Sequence, residues 1–202
     1  MNKKKELQVA VIGFIAIAGS VELIKNKREN LIERFSLKFC CDKLNEFEKI
    51  YNEAKKIKQC YNKIKQKFDI ENKYIEIYEI TKGGFLSKLW ESSKLLEVGV
   101  LYDLKKVPVK QMSIEIADFF DINVYRLYSE NSFIVYTDDL LKLERIIYEE
   151  ILIDSELVPI SYIGNTNDTK KKIRIDGEKE SYLNKDYKDD IDLIIKNFTK
   201  GK

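Results

Sequence analysis

Two short polar segments carry the residue types that could do chemistry in this chain. Thr81-Lys82-Gly83-Gly84 follows an alternating stretch and opens an amphipathic one, and Ser129-Glu130-Asn131-Ser132 leads into an apolar run. Glycines at a strand-to-helix turn let backbone N–H groups approach an anion, while the following helix aims the positive end of its dipole at the same spot. Phosphate is the natural ligand for such a turn. Thr81, Gly83 and Gly84, joined by Asn131 and Ser132, are therefore the candidate anion-binding residues. The plainer alternative is that Gly83 and Gly84 only supply the φ values of a tight turn. For Ser129 to Ser132 the plainer alternative is an ordinary turn entering a strand, in which Asn131 takes the left-handed conformation.

Other chemistry has little to draw on. Histidine is absent, which removes the usual neutral-pH proton shuttle and the commonest metal ligand. Cys40, Cys41 and Cys60 show neither an even disulfide count nor C-x-x-C spacing, so they read as buried or half-buried thiols in a reducing cytoplasm. No catalytic residue and no metal ligand is assigned. Asp103, Glu115 and Asp118 read as solvated carboxylates. Tyr125-Arg126 reads as a packing pair whose guanidinium holds a carboxylate or a carbonyl.

The 36 Lys plus Arg against 34 Asp plus Glu leave a formal charge of +2, too weak a field to hold nucleic acid. Lys3 to Lys5 followed by Val9 to Ala18 imitate a secretory signal, down to an Ala16-x-Ala18 spacing. Glu6 and Gln8 interrupt that pattern, and Ser20 to Phe35 continues as an amphipathic helix, so a folded strand is the expectation. No apolar run approaches the roughly 20 residues that span a bilayer, and no membrane partner is expected.

The elements that must position the two polar segments follow from periodicity. Gln8 to Phe14 has strand length, and Gly19-Ser20 supplies the turn and N-cap of a helix bearing Val21, Ile24, Leu31 and Phe35. Between Ser36 and Phe68, Phe47, Ile50, Ala54, Ile57, Tyr61, Ile64 and Phe68 recur at alternating steps of three and four. This heptad stripe covers the domain's own sheet, as one helix or two, or else meets a partner. Strands are expected at Lys73 to Ile80, Val98 to Leu104, Ser132 to Thr137, Leu157 to Ile163 and Lys171 to Ile175, the last two joined by the turn-rich Gly164 to Asp168. Helices are expected after Gly84, from Gln111 to Phe120, after an Asp138 or Asp139 cap, and near Asp189 to Phe198. The class is α/β or α+β, one domain over 1–202, a mixed sheet covered by helices.

The motifs between Gly83 and Ser132 add a resemblance. A T-x-G-G turn opening a helix, a G-V-x-L-x-x-D-L strand, an x-x-P-V-x-Q elbow and E-I-x-x-F-F-x-I-x-x-Y-R-L occur there in order. Together they resemble the carboxy-terminal domain of the AIR synthase-related superfamily, with PurM-like and HypE-like members. The likeness extends over residues 8 to 195 and is loose between Leu37 and Lys67. It implies an α/β sandwich with partial ferredoxin-like topology, standing apart from the amino-terminal domain that carries most nucleotide and metal ligands in that family.

Departures from the family pattern bear on function. Relatives commonly read D-x-T-E-G-G at the turn, where this chain has Glu79 and Lys82 at the two acidic positions; they read S-S-G-S where it has Glu130 and Asn131. The cysteine that ends HypE-type chains has no counterpart in Phe198 to Lys202. The resemblance therefore implies an accessory or protein-interaction domain, inactive alone, with no cofactor of its own. ATP and magnesium would come only if a separately encoded AIR synthase-like amino-terminal domain supplied them; that domain, or a second copy of this chain, is the expected partner. One alternative is half of a split ATP-dependent enzyme that activates an amide or carbonyl oxygen. Another is a small anion-binding module.

Overall fold

In the computed structural model, which describes residues 6–183 except 154 and 156, the alternating stretches become two faces of one sheet. Its strands are β1 (Gln8–Ile12), β2 (Ile75–Glu79), β3 (Gly99–Asp103), β4 (Phe133–Thr137), β5 (Ile160–Asn167), β6 (Lys172–Asp176) and β7 (Lys179–Tyr182), in the order β2-β4-β1-β5-β3-β6-β7. Only β3 with β6 pairs in parallel; the other neighbours are antiparallel. Because β1 and β2 both pair antiparallel with β4 between them, they run the same way, and the chain joining them forms a split β-α-β unit. That unit is the ferredoxin-like part of a mixed α/β fold, the expected class.

The helices are α1 (Ile17–Asn26), α2 (Arg28–Leu31), α3 (Leu37–Gln59), α4 (Tyr61–Ile70), α5 (Gly84–Leu95), α6 (Gln111–Phe119) and α7 (Leu140–Glu150). Successive strand residues point to opposite faces, and two cores result. Val9, Val11, Ile134 and Tyr136 pack with Leu23, Phe85 and Ile116 of α1, α5 and α6. On the other face Ala10, Ile12, Phe133 and Val135 pack with Phe68 of α4 and Leu143 and Ile147 of α7.

The stripe forms two helices. Ser36 caps α3, its side chain accepting from Phe39 N at 3.2 Å, and the break falls at Cys60, with φ −98° and ψ 7°. Phe47 and Ile50 enter the first core, whereas Ala54, Ile57, Ile64 and Phe68 enter the second. The stripe is spent on the protein's own interior.

Three expectations need correction. Helix α1 starts at Ile17, after a left-handed Ala16 with φ 64°, so Gly19-Ser20 is not its cap. Gly19 instead allows a close approach: its N–H donates to Tyr128 O at 2.9 Å, and a Cβ there would lie 2.6 Å from Leu127 Cγ. Gly164 to Asn167 is strand rather than turn. A Cβ at Gly164 would sit 1.9 Å from Leu101 O, so glycine lets β5 run close beside β3 through a segment whose composition reads as loop. Strand β7 was not expected; its burial pattern is exposed throughout, so no apolar alternation marks it. The helix expected at Asp189 to Phe198 lies outside the described residues. Val9 to Ala18 forms β1 and the start of α1, and among the described residues no helix is long and apolar enough to cross a membrane.

Candidate functional site

Since β1 and β2 run parallel and β4 antiparallel, the carboxyl ends of the first two meet the amino end of the third. All five candidate residues collect there. Ile80 N donates to Ser132 O at 2.8 Å, Ser129 N to Thr81 O at 3.4 Å, and Ala16 N to Ser129 Oγ at 2.8 Å. Asn131 holds φ 55°, the left-handed conformation expected of it. Gly83 and Gly84 hold φ 81° and 67°, and α5 begins at the second of them.

The glycine turn is packed from outside. Gly83, Gly84 and Phe85 are buried, and Gly84 N donates within the turn to Thr81 O at 3.1 Å. A Cβ on Gly84 would meet Arg126 C and Tyr125 O, both at 2.6 Å, so the 3₁₀ turn Val124–Arg126 presses onto it. Ser132 Oγ is buried and, among the described residues, has no hydrogen-bond partner.

The chain's own carboxylates stand at the same end. Glu79 Oε1 accepts the Asn131 N–H at 3.3 Å and a bond from Lys58 Nζ at 3.0 Å, while Lys58 Nζ lies 2.8 Å from Glu79 Oε2. The Glu79 hydrogen bond is the main reason the Lys58 amine holds its proton more tightly than usual. Glu130 Oε2 accepts from Tyr51 Oη at 2.7 Å and Tyr128 Oη at 3.1 Å. Burial first, then Glu130, pushes both phenols up to about 12, so they stay neutral donors at physiological pH. Asn131 Nδ2 reaches Tyr51 O at 3.4 Å, tying α3 to the same turn.

The remaining candidates are structural or lie elsewhere. Asp103 Oδ1 accepts from Lys105 N at 2.9 Å and starts a 3₁₀ turn. Glu115 accepts from Gln111 Nε2 at 3.2 Å on the surface of α6. The cysteines are free thiols, Cys40 buried, with Arg28 Nη2 at 2.8 Å from Cys41 Sγ.

No family model and no curated protein matches this sequence. Solved structures do match it. The crystal structure of the HypE–HypF complex superposes over 91% of this chain and 54% of that one, with a TM-score of 0.58 and 20% identity. E. coli HypE gives 90% and 50%, TM-score 0.59, 12% identity. HypE in complex with ATP gives 91% and 51%, TM-score 0.58, 14% identity. The chain therefore shares the fold of these HypE structures. It spans about half the length of the HypE chains it matches.

Sequence reasoning found the turn and both replaced residues, Glu79 and Glu130, but not what they bind. Lys58, Tyr51 and Tyr128 were missed. Tyr51 and Lys58 sit on α3, far along the chain, and only the crossing of that helix over the sheet end brings them to the turn. Tyr128 next to Glu130 was the one local signal. Chemically, this end of the sheet offers carboxylates held by phenols and one ammonium, with its Asn131 N–H already engaged by Glu79.

Proposed function

We propose that this PurM-like chain acts as an accessory, protein-binding domain of carboxy-terminal type, and that it does not turn over ATP unaided. The observation that carries this reading is the Glu79 carboxylate on the Asn131 N–H, braced by Lys58. An incoming phosphate would have to displace a negative group already seated at the donor. A second negative charge within about 4 Å of it costs about 4 kcal/mol at an effective dielectric near 20. Glu130 adds to the repulsion and Lys58 offsets part of it. HypE in one matching structure is in complex with HypF, which supports a role in assembly for a protein with this fold.

Calorimetry on the full chain with magnesium and ATP tests the reading. Titration to about 1 mM should give no saturable heat, since a dissociation constant of that size is worth only about 4 kcal/mol. Magnesium-dependent ATP binding at micromolar strength overturns it.

A second reading, half of a split ATP-dependent enzyme, is favoured by a different observation. A cleft of about 510 Å³ opens over the sheet surface at Leu101, Asp103, Tyr162 and Ile175, a place for a covering chain. Another matching HypE structure holds ATP. Mixing the chain with a separately expressed AIR synthase-like amino-terminal domain would decide: ATP turnover by the mixture alone supports this reading over the first. The buried, unpartnered Ser132 Oγ favours a third, an anion module using Thr81, Gly83, Gly84, Asn131 and Ser132. Stabilisation by phosphate or sulfate without nucleotide would select it.

A further inference from the structure

A cleft of about 520 Å³ lies between α1, α3 and the segment before β4, within the size range of small-molecule sites. Ala18 and Val21 give it an apolar side, and Tyr51 and Tyr128 bring two aromatic rings. Glu130 also lines it, oriented by both phenols. Both of those bonds fall on Oε2, and a carboxylate offers about four acceptor directions, so among the described residues Oε1 is left for another donor.

Among the described residues the charges in the cleft do not balance. Glu22, Glu48 and Glu130 line it, and its basic residue Lys25 pairs with Glu48 at 2.9 Å. Lys58, whose charge also acts on Glu130, is engaged by Glu79 at 2.8 Å. The excess negative charge therefore belongs to Glu22 and Glu130. The field at Tyr128 agrees: beyond burial, Glu130, Glu22 and Glu79 all raise its pKa.

We propose that this cleft binds a small organic cation, an alkylammonium or alkylguanidinium, with the charge against Glu130 and Glu22 beside the two tyrosine rings and the stem along Ala18 and Val21. A cation close to a tyrosine face gains about 0.5–2 kcal/mol beyond its ion pairing, and an apolar stem gains about 0.8 kcal/mol per buried methylene. A phosphate or a nucleotide is excluded by the same charges that admit the amine. The inference does not depend on whether the chain works alone or with a partner.

Titration calorimetry of the full chain with agmatine and with n-butylamine, against n-butanol as the uncharged counterpart, tests it at matched salt. Both amines should saturate one site and n-butanol should not. Glu130→Gln, which keeps the shape and removes the charge, should weaken binding by about tenfold or more. Tyr51→Phe, which keeps the ring but releases Glu130, should weaken it less. Should Glu130→Gln fail to fold, Glu22→Gln on α1 poses the same question of charge. No saturation by about 10 mM, equal binding of n-butanol, or unchanged affinity in the folded glutamine variant overturns the proposal.

Discussion

Replacing Gly84 with alanine separates a glycine kept for packing from one kept open for a ligand. The new Cβ would lie 2.6 Å from both Arg126 C and Tyr125 O, and 2.8 Å from Arg126 Cα. Ordinary contact begins near 3.4 Å, so the shortfall is about 0.8 Å, and it falls on backbone that no rotamer change can relieve. Overpacking of this kind costs about 1–3 kcal/mol, and the left-handed φ of 67° adds about 1–2 kcal/mol for a residue with a Cβ. The expected loss is about 2–5 kcal/mol, from these two contributions. Gly177 supplies the control, because it holds φ 62° with nothing within 4 Å of its would-be Cβ. Gly177→Ala should therefore cost only the conformational share, about 1–2 kcal/mol. Urea denaturation followed by circular dichroism measures both; with m near 2 kcal/mol/M, the midpoint of Gly84→Ala should fall by about 1–2.5 M. Equal losses in the two variants would refute the reasoning, since the Tyr125–Arg126 backbone would then not press on the turn, and space above the glycine would be open for an anion.

Two further outcomes follow from buried polar contacts and ion pairs. Ser92→Ala should destabilise by about 1–3 kcal/mol, because it strips the fully buried Tyr136 hydroxyl of the Ser92 Oγ at 2.8 Å; Tyr136→Phe should cost less on the same denaturation assay, since Ser92 Oγ keeps its 2.8 Å bond to Lys88 O. Glu46 is held below its ordinary value of 4.5, first by the Lys43 hydrogen bond and then by Lys110. A carboxyl with a depressed folded pKa contributes stability above its unfolded pKa and loses it as pH falls through the folded one. Stability measured from about pH 6 down to about pH 3 should fall less steeply in Glu46→Gln than in the unaltered chain; parallel curves would show that the Lys43 and Lys110 contacts carry no linkage.

Elements set by local pattern were legible in the sequence, and those set by tertiary approach were not. The stripe from Phe47 to Phe68, the Asp139 cap that accepts from Lys142 N at 3.0 Å, and the left-handed Asn131 all follow from spacing or intrinsic preference. The start of α1 escaped because Ala16 adopts φ 64°, costly for alanine and compensated by the 2.8 Å bond from its N–H to Ser129 Oγ, a contact across the fold. The second half of β5 escaped for a similar reason. Gly164, Asn165 and Asn167 compose a turn by propensity, yet the pairing with β3 and the close Gly164–Leu101 approach hold them as strand. At the candidate site the turn was visible and its occupant was not. Glu79 reads as a conservative change from aspartate until Lys58 is placed beside it.

That placement joins two features that look independent in the sequence. Phe47 and Ile50 of α3 belong to the core on one face of the sheet, and Ala54 and Ile57 to the core on the other. A single helix can serve both faces only by passing the edge or end of the sheet, and Tyr51, between the two sets, marks where it does so: its carbonyl meets Asn131 and its hydroxyl meets Glu130. Lys58, about two turns on, reaches Glu79 from the same helix. At the turn where Glu79 and Glu130 stand, this chain has the long helix α3 lying over it, and the two carboxylates fasten the helix there. The long stripe and the altered turn are thus parts of one arrangement. On the proposed reading the contacts that hold α3 in place close the sheet end to phosphate, and the cleft beside α3 inherits the unbalanced carboxylate charge.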